Sequence, residues 1–186
     1  MDVNDLRKNV KLEIDGQPFV VVDFQFVKPG KGQGLYKCKI KNMITGAVLE
    51  RTWRSGEKLT AANVESNKMQ FLFSSGEAFT FMDSETYEQV EMSADVIGDD
   101  KNWLLDNLDV EVLFYNERPV GVSLPSHVVM EIVECEPGVK GDTATNVTKQ
   151  AQVQTGATIN VPLFIKVGET VKVDTRTGAY VERVNT

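Results

Sequence analysis

The chain has 186 residues, of which 41% are hydrophobic and 25% charged, and it carries a net charge of −7. This composition is typical of a folded globular protein, and no apolar run approaches the ~18 residues that a membrane-spanning helix needs. Two cysteines far apart in the sequence and a single histidine exclude the usual zinc signatures, and the acidic N-terminus lacks a signal-peptide pattern, so we expect a cytoplasmic protein without a metal.

The first third of the chain predicts a small five-stranded barrel. Runs rich in Val, Ile, Phe and Tyr are separated by turn signals, including Asp15-Gly16 and Thr45-Gly46. The predicted strands are residues 11–14, 19–27, 35–41, 47–54 and 59–60.

A glycine-rich loop, Lys-Pro-Gly-Lys-Gly-Gln-Gly at residues 28–34, joins the second and third of these strands. Pro29 fixes its own φ, and Gly30 and Gly32 accept positive φ and leave room for close backbone approach. Lys31 therefore stands without bulky neighbours and can be presented to a narrow anionic partner. A hairpin tip kept soluble by a lysine is the alternative. A Walker phosphate loop is excluded, because Lys31 is followed by Gly32 rather than by Ser or Thr.

The middle third predicts a Greek-key barrel of the OB type. Turn signals stand at Ser75-Gly76 and Asn116-Glu117. The predicted strands are residues 65–73, 78–82, 88–91, 109–115 and 119–124. One helix is predicted over residues 99–107, with Asp99 or Asp100 as its N-cap.

The last third again predicts a small barrel, with a hairpin closed at Thr177-Gly178. The predicted strands are residues 128–135, 150–155, 158–162, 170–174 and 179–184. We therefore expect three domains, at residues 1–63, 64–127 and 128–186. Because domains of this size bury little surface alone, we expect packed junctions between them.

Charge is distributed unevenly along the chain. Residues 1–63 contain 11 Lys and Arg against 7 Asp and Glu, whereas residues 64–128 contain 3 against 13. A basic end beside an acidic middle indicates that one part of the surface meets a polyanion, although small domains also vary this much by chance.

The sequence gives little support to enzyme chemistry. His127 is the single histidine, so no catalytic triad is available. Asp99 and Asp100 are expected from the acidic composition and have a capping role available. We therefore predict that the protein is not an enzyme; a hydrolase acting through the acidic middle domain would lack a placed nucleophile or metal.

Three motifs in order resemble the bacterial elongation factor P family over essentially the whole chain. The first is Val-Lys-Pro-Gly-Lys-Gly-Gln at residues 27–33, and the second is Pro-Gly-Val-Lys-Gly-Asp-Thr at residues 137–143. The third spans residues 149–168 and is carried by Lys149, Ala151, Gly156, Ile159, Val161, Pro162, Ile165 and Gly168. The tail at residues 171–180 is also similar to the family.

The resemblance implies an all-β fold that agrees with this interpretation: an N-terminal SH3-like (KOW-type) barrel and two OB-fold barrels in an elongated L shape like tRNA. It implies a monomeric translation factor that binds both ribosomal subunits between the peptidyl and exit sites. Its partners would be the ribosome, peptidyl-tRNA and mRNA, and it would promote peptide-bond formation at consecutive prolines.

By the same resemblance, Lys31 approaches the CCA end of peptidyl-tRNA, and Pro29, Gly30 and Gly32 shape the tip. No cofactor is implied, but a lysine-modifying enzyme would add a chain to the tip lysine, as in many family members. The familiar tip continues Gly-x-Ala-Phe, where this chain has Gly34 and Leu35 after Gln33. We expect Gly34 to loosen the return strand and to alter the shape that a modifying enzyme reads.

Two further sites are implied. Gly141, Asp142 and Thr143 match a family loop that touches the exit-site codon of mRNA, although the triplet alone is typical of an Asx turn. Tyr180 and Arg183 match positions near the anticodon stem of peptidyl-tRNA, and taken alone they are a strand residue and a surface cation.

A plain RNA-binding or ribosome-associated scaffold is the rival interpretation. It would bind through the basic residues of the first domain and show a steep salt dependence, with Lys31 as one contact among many. Those residues are Lys28, Lys37, Lys39, Lys41, Arg51 and Arg54.

Overall fold

The computed structural model describes residues 1–138 and 147–185, and the fold is all-β. Within these residues, fifteen strands form three antiparallel sheets of five strands each. Each predicted strand has a counterpart in the structure; about half of the strand ends coincide, and the others are shifted by one or two residues.

The first sheet has the strand order β4-β3-β2-β1-β5. Its strands are β1 Lys11–Ile14, β2 Gln17–Val27, β3 Leu35–Asn42, β4 Val48–Arg54 and β5 Thr60–Ala61. Asp15 and Gly16 both have positive φ, at 52° and 72°, as the predicted two-residue turn between β1 and β2 requires. A short 3-10 helix, Val3–Asp5, precedes the sheet, and Val3 and Leu6 are fully buried in its core.

The second sheet has the strand order β10-β9-β6-β7-β8. Its strands are β6 Glu65–Ser75, β7 Ala78–Asp83, β8 Gln89–Ser93, β9 Asp109–Tyr115 and β10 Arg118–Ser123. Alternate residues such as Met69 and Phe71 on β6 and Val110 and Val112 on β9 face one core, as the two-residue period of a strand dictates.

The helix predicted over residues 99–107 is wrong in position and length. Helix α1 is Ala94–Ile97, and the Oγ of its N-cap Ser93 accepts a hydrogen bond from the Val96 amide. It gives way at Gly98 to a 3-10 helix, Gly98–Trp103. The apolar spacing misled the prediction because Trp103 packs in the core of the third sheet, whereas its neighbour Leu104 packs in that of the second.

The third sheet has the strand order β13-β12-β11-β14-β15. Its strands are β11 His127–Cys135, β12 Thr148–Val153, β13 Thr158–Pro162, β14 Thr170–Asp174 and β15 Ala179–Val184. Valine and isoleucine side chains from all of the first four strands fill its core. Cys135 is half-buried here and Cys38 is buried in the first barrel, and both thiols are free.

The junction between the first two sheets is packed. Met43, Tyr115 and Val120 form a buried apolar cluster there. The Tyr115 hydroxyl donates to the Glu13 carboxylate at 2.9 Å, and the Lys41 ammonium donates to the Val96 carbonyl at 2.8 Å. Apolar contact and directed polar bonds therefore act together at this boundary.

The junction between the second and third sheets is packed as well. The Trp103 indole is buried in the core of the third sheet, and the Thr155 hydroxyl donates to the Asn102 carbonyl at 2.6 Å. The end of the 3-10 helix in the middle barrel is therefore packed into the last barrel.

Candidate functional site

The loop at residues 28–34 leaves the open end of the first barrel. The β2–β3 ladder closes at the pair Val27 and Leu35, so all seven loop residues lie outside it. Pro29, Gly30, Lys31 and Gly32 are all exposed. The sequence prediction of a protruding lysine tip agrees with this placement.

Glycine at position 32 is required by the backbone. Its φ is 133°, in a region that side chains rarely adopt, and an added Cβ would lie 3.8 Å from Cγ of Pro29. The proline ring and the glycine therefore face each other across the tip, with Lys31 at the bend between Gly30 and Gly32. In the part of the chain that the structure describes, no acidic side chain forms an ion pair with the Lys31 ammonium.

Positive side chains extend from the loop down one side of the barrel. Lys37 and Lys39 lie on the same face of β3 because they alternate with the buried Cys38 and Ile40. Arg54 pairs with Leu35 in the ladder between β3 and β4, at the end near the loop. At the loop end of this face, Lys37 and Arg54 suit a phosphate backbone, since cations near phosphates release counterions on binding. Lys39, further along, stands between Asp23 and Glu50 in the two ladders.

Lys41 is among the candidate RNA contacts that the sequence predicts, but it does not belong to this surface. Its ammonium donates a hydrogen bond to the Val96 carbonyl in the junction with the middle barrel. Burial lowers the pKa of Lys41, and the nearby carboxylates of Asp100, Asp99 and Asp95 oppose that effect.

The base of the loop is well packed, which differs from the expectation that Gly34 loosens the return strand. Gly34 is buried, and its carbonyl accepts a hydrogen bond from the Ser55 amide at 2.8 Å. The Phe26 ring lies against it and also contacts Tyr36, with ring centroids 4.8 Å apart.

Tyr180 and Arg183 both lie on β15 in the third sheet. Tyr180 is half-buried and packs against the core. The Arg183 guanidinium donates to the Glu169 carboxylate at 3.1 Å and sits 5.7 Å from the centre of the Phe164 ring. Arg183 is therefore an exposed cation held in a fixed direction, which a phosphate contact would need.

Gly141, Asp142 and Thr143 lie outside the described residues. The described residues that flank this segment are placed by strands β11 and β12. Just before it, an added Cβ at Gly138 would lie 3.0 Å from the Leu163 carbonyl, so the chain enters the segment beside the turn that carries Phe164.

The described residues lack a cluster of side chains of the kind that holds a metal ion: they contain no group of three His, Cys, Asp or Glu side chains that could do so. His127, at the start of β11, lies 4.0 Å from Asp174. Burial raises the pKa of Asp100, which faces Lys41 in the junction between the first two barrels. None of the helices in the described ranges is long and apolar enough to span a bilayer.

Phe164 and Glu169 are absent from the sequence prediction, and so is the contact of Phe26 with Gly34. Both phenylalanines are about half exposed. Phe26 packs against the base of the loop that carries Lys31, and Phe164 packs against Arg183. Only the exposure of an aromatic ring marks them, and exposure is not visible in a strand-like run.

Comparison with known proteins covers the whole chain. The model of the elongation factor P KOW-like domain matches residues 2–59, that of its OB domain residues 64–122, and that of the C-terminal domain residues 128–183. These descriptions agree with the SH3-like and OB barrels predicted from the sequence.

Elongation factor P of Desulforapulum autotrophicum is 54% identical over 184 residues, which cover 99% of this chain and 98% of that protein. Elongation factor P of a Synechococcus strain is 53% identical over 180 residues, 97% of either chain. The structure of a translation initiation factor 5A from Methanococcus jannaschii is less similar, at 23% identity over 67% of this chain and 93% of that one, with a TM-score of 0.45. The family models and the two close relatives together show that this chain belongs to the elongation factor P family.

Proposed function

We propose that this protein is a cytoplasmic translation factor that binds the ribosome between the peptidyl and exit sites as a single chain. It promotes peptide-bond formation at consecutive prolines by holding the CCA end of peptidyl-tRNA with the loop at residues 28–34. The observation that carries the proposal is the exposed Lys31 ammonium at a glycine-framed tip, unpaired by any acid in the described parts of the chain.

The protein performs no bond chemistry in this proposal. Proline is a poor partner in peptide transfer, and orienting the reactants lowers the entropic part of the barrier to the ribosome's own reaction. A tenfold gain in rate needs about 1.4 kcal/mol. One hydrogen bond to a charged group contributes about 1.5–3 kcal/mol, so a single well-placed ammonium contact suffices.

The remaining contacts follow the same proposal. Tyr180 and Arg183 meet the anticodon stem of peptidyl-tRNA, which the fixed direction of the Arg183 guanidinium favours. Gly141, Asp142 and Thr143 meet the exit-site codon of mRNA. A lysine-modifying enzyme extends Lys31, and the intact mass of the native protein tests this step directly.

Translation of a polyproline reporter tests the role of the tip. We expect Lys31→Ala to lower the maximal rescue at least tenfold, while the concentration of factor that gives half-maximal rescue changes little. Lys37→Ala is the matched control, because Lys37 is an exposed lysine on β3 of the same barrel. We expect it to change only the half-maximal concentration, by a small factor.

The scaffold interpretation makes the opposite forecast. If the barrel only binds RNA, the two lysines contribute alike, and both variants weaken ribosome binding with a reduced salt slope. If Lys31→Ala rescues translation as well as the parent chain does, the tip has no part in the mechanism.

A further inference from the structure

The Phe26 ring occupies the space that a side chain at residue 34 would need. An ideal Cβ built on Gly34 would lie 2.6 Å from Cζ of Phe26 and closer still to its Cε2. Carbon atoms that are not bonded need about 3.5 Å or more. Glycine at 34 and the present position of the Phe26 ring therefore depend on each other.

The Phe26 ring is placed by the strands below the loop. Phe26 on β2 stands directly opposite Tyr36 on β3, and the two rings pack at an interplanar angle of 47°. Even so, 48% of Phe26 is exposed, so burial alone does not explain an aromatic residue there. Its contacts go to Gly34 and Tyr36, the two residues that flank Leu35, where the loop returns to the sheet.

The same return segment is bonded to two other parts of the barrel. The Gly34 carbonyl accepts from the Ser55 amide beyond β4. The Ser55 hydroxyl donates to Oδ1 of Asn4 at 2.9 Å, and the Tyr36 hydroxyl donates to the same oxygen at 3.3 Å. Asn4 belongs to the 3-10 helix, so the loop base is joined to the N-terminus of the chain.

We propose that Phe26 is a positioning residue for Lys31: its ring, seated on Gly34, sets the direction in which the loop leaves the barrel. This inference rests on the proposed function, because it assigns a purpose to the direction of the tip. Gly34, where this chain departs from the familiar Gly-x-Ala-Phe pattern, thus has a matching partner in Phe26.

The geometry of the loop amplifies small changes at its base. Lys31 lies three residues before Gly34, and three residues of extended chain reach about 10 Å. A rotation of about 10° at the base therefore moves the tip by about 2 Å. A misplacement of only about 1 Å can cost a hundredfold in a reaction that depends on orientation.

A double-mutant cycle tests this dependence. We expect Gly34→Ala to lower the maximal rate of the polyproline reporter by roughly tenfold, because the new methyl group displaces the ring and turns the loop. Phe26→Ala lowers it as well. Adding Gly34→Ala to Phe26→Ala costs nothing further, since the methyl group then occupies the space that the ring has left.

Two controls separate positioning from a loss of folding. Phe73→Ala removes a phenylalanine that is 51% exposed on β6 of the middle barrel, and it should leave the reporter unchanged. Unfolding followed by the fluorescence of Trp53, in the first barrel, should show that every variant of the cycle is fully folded at the temperature of the reporter assay. The half-maximal concentration of factor should also stay constant, because ribosome binding is not at issue.

NMR relaxation of the Gly30 and Gly32 amides supplies a readout that needs no ribosome. Gly34→Ala should change their order parameters in the parent chain and leave them unchanged in the Phe26→Ala chain. Additive effects in both the reporter and the relaxation data would overturn the inference. A loss of rescue that tracks the Trp53 unfolding midpoint would overturn it too.

The proposed function fails separately. If Lys31→Ala rescues fully, the tip has no role on the ribosome, and the relaxation cycle alone still decides whether Phe26 sets the loop. If Lys31→Ala abolishes rescue while the cycle is additive, only the positioning role is lost.

Discussion

Gly178 and Gly156 share a left-handed backbone in the third barrel but differ in their surroundings. Their φ angles are 71° and 89°, so a side chain is strained at either position. An added Cβ at Gly178 would lie 2.9 Å from the Trp103 indole, whereas none of the described atoms lies within 4 Å of one at Gly156. The pair therefore separates backbone strain from contact with the neighbouring barrel.

We expect Gly156→Ala to cost about 1 kcal/mol of unfolding free energy, the usual cost of left-handed alanine. Gly178→Ala should cost about 2–3 kcal/mol, because the methyl group also displaces Trp103 from its packed position. Urea unfolding monitored by Trp103 fluorescence, with Trp53 replaced by phenylalanine, measures both values. Equal losses would show that the indole yields without cost.

At the scale of single elements, the β14–β15 turn carries a pH-dependent contact. The Arg176 guanidinium donates to both oxygens of Asp174, and the Arg176 amide donates to Oδ1 at 2.8 Å. These bonds, helped by the charge of nearby His127, lower the pKa of Asp174 from 3.8 to about 2. The folded protein thus binds the proton more weakly than the unfolded chain.

The contribution of Asp174 to stability is therefore complete above pH ~4 and is lost as the pH falls towards 2. We expect Asp174→Asn to reduce stability at pH 7 and to flatten the decline between pH 4 and 2, followed through Trp103 fluorescence. Asp83→Asn is the control, because the pKa of Asp83 in the middle barrel is lowered by the backbone amides of Thr86 and Glu85 without a cation, so this variant should flatten the decline less. A decline unchanged by Asp174→Asn would contradict the assignment.

The elements most open to sequence prediction are those whose contacts are local. Alternating side chains and turn residues such as Asp15-Gly16 define the strands, because pairing follows directly from them. The helix was misplaced because Trp103 serves a different barrel from its neighbour.

The candidate site divides in the same way. Pro29 and Gly32 mark an exposed lysine tip through local backbone preference, so sequence shows it. The match of Phe26 with Gly34, and the commitment of Lys41 to the middle barrel, arise only when distant segments meet. A lysine on a strand looks the same in sequence whether it faces solvent or a junction.

At the scale of the whole molecule, the first two barrels meet with almost no space between their backbones. An added Cβ at Gly46 would lie 2.5 Å from the Asp95 carbonyl, and one at Gly98 would lie 2.8 Å from the Lys41 ammonium. Burial raises the pKa of Asp100 and lowers that of Lys41, and the charge of each offsets this effect on the other. The junction thus depends on Lys41, because the Val96 carbonyl and the Asp100 carboxyl both face its ammonium.

Lys41→Met keeps the length of the side chain and removes its ammonium, leaving the Val96 carbonyl and the Asp100 carboxyl without that partner. The unpaired Val96 carbonyl costs roughly 1–3 kcal/mol. Asp100 also loses the nearby positive charge that offsets its burial, so other orientations of the first barrel become populated. Residual dipolar couplings measured for the first and second sheets should fit one alignment tensor in the parent and two in the variant.

Because the loop at residues 28–34 is carried by the first barrel, polyproline rescue should fall although Lys31 is intact. Lys39→Met, two residues earlier on β3 and exposed, should keep a single tensor and the full maximal rescue. A single tensor with full rescue in Lys41→Met would mean that the apolar cluster around Met43 and Tyr115 fixes the orientation alone.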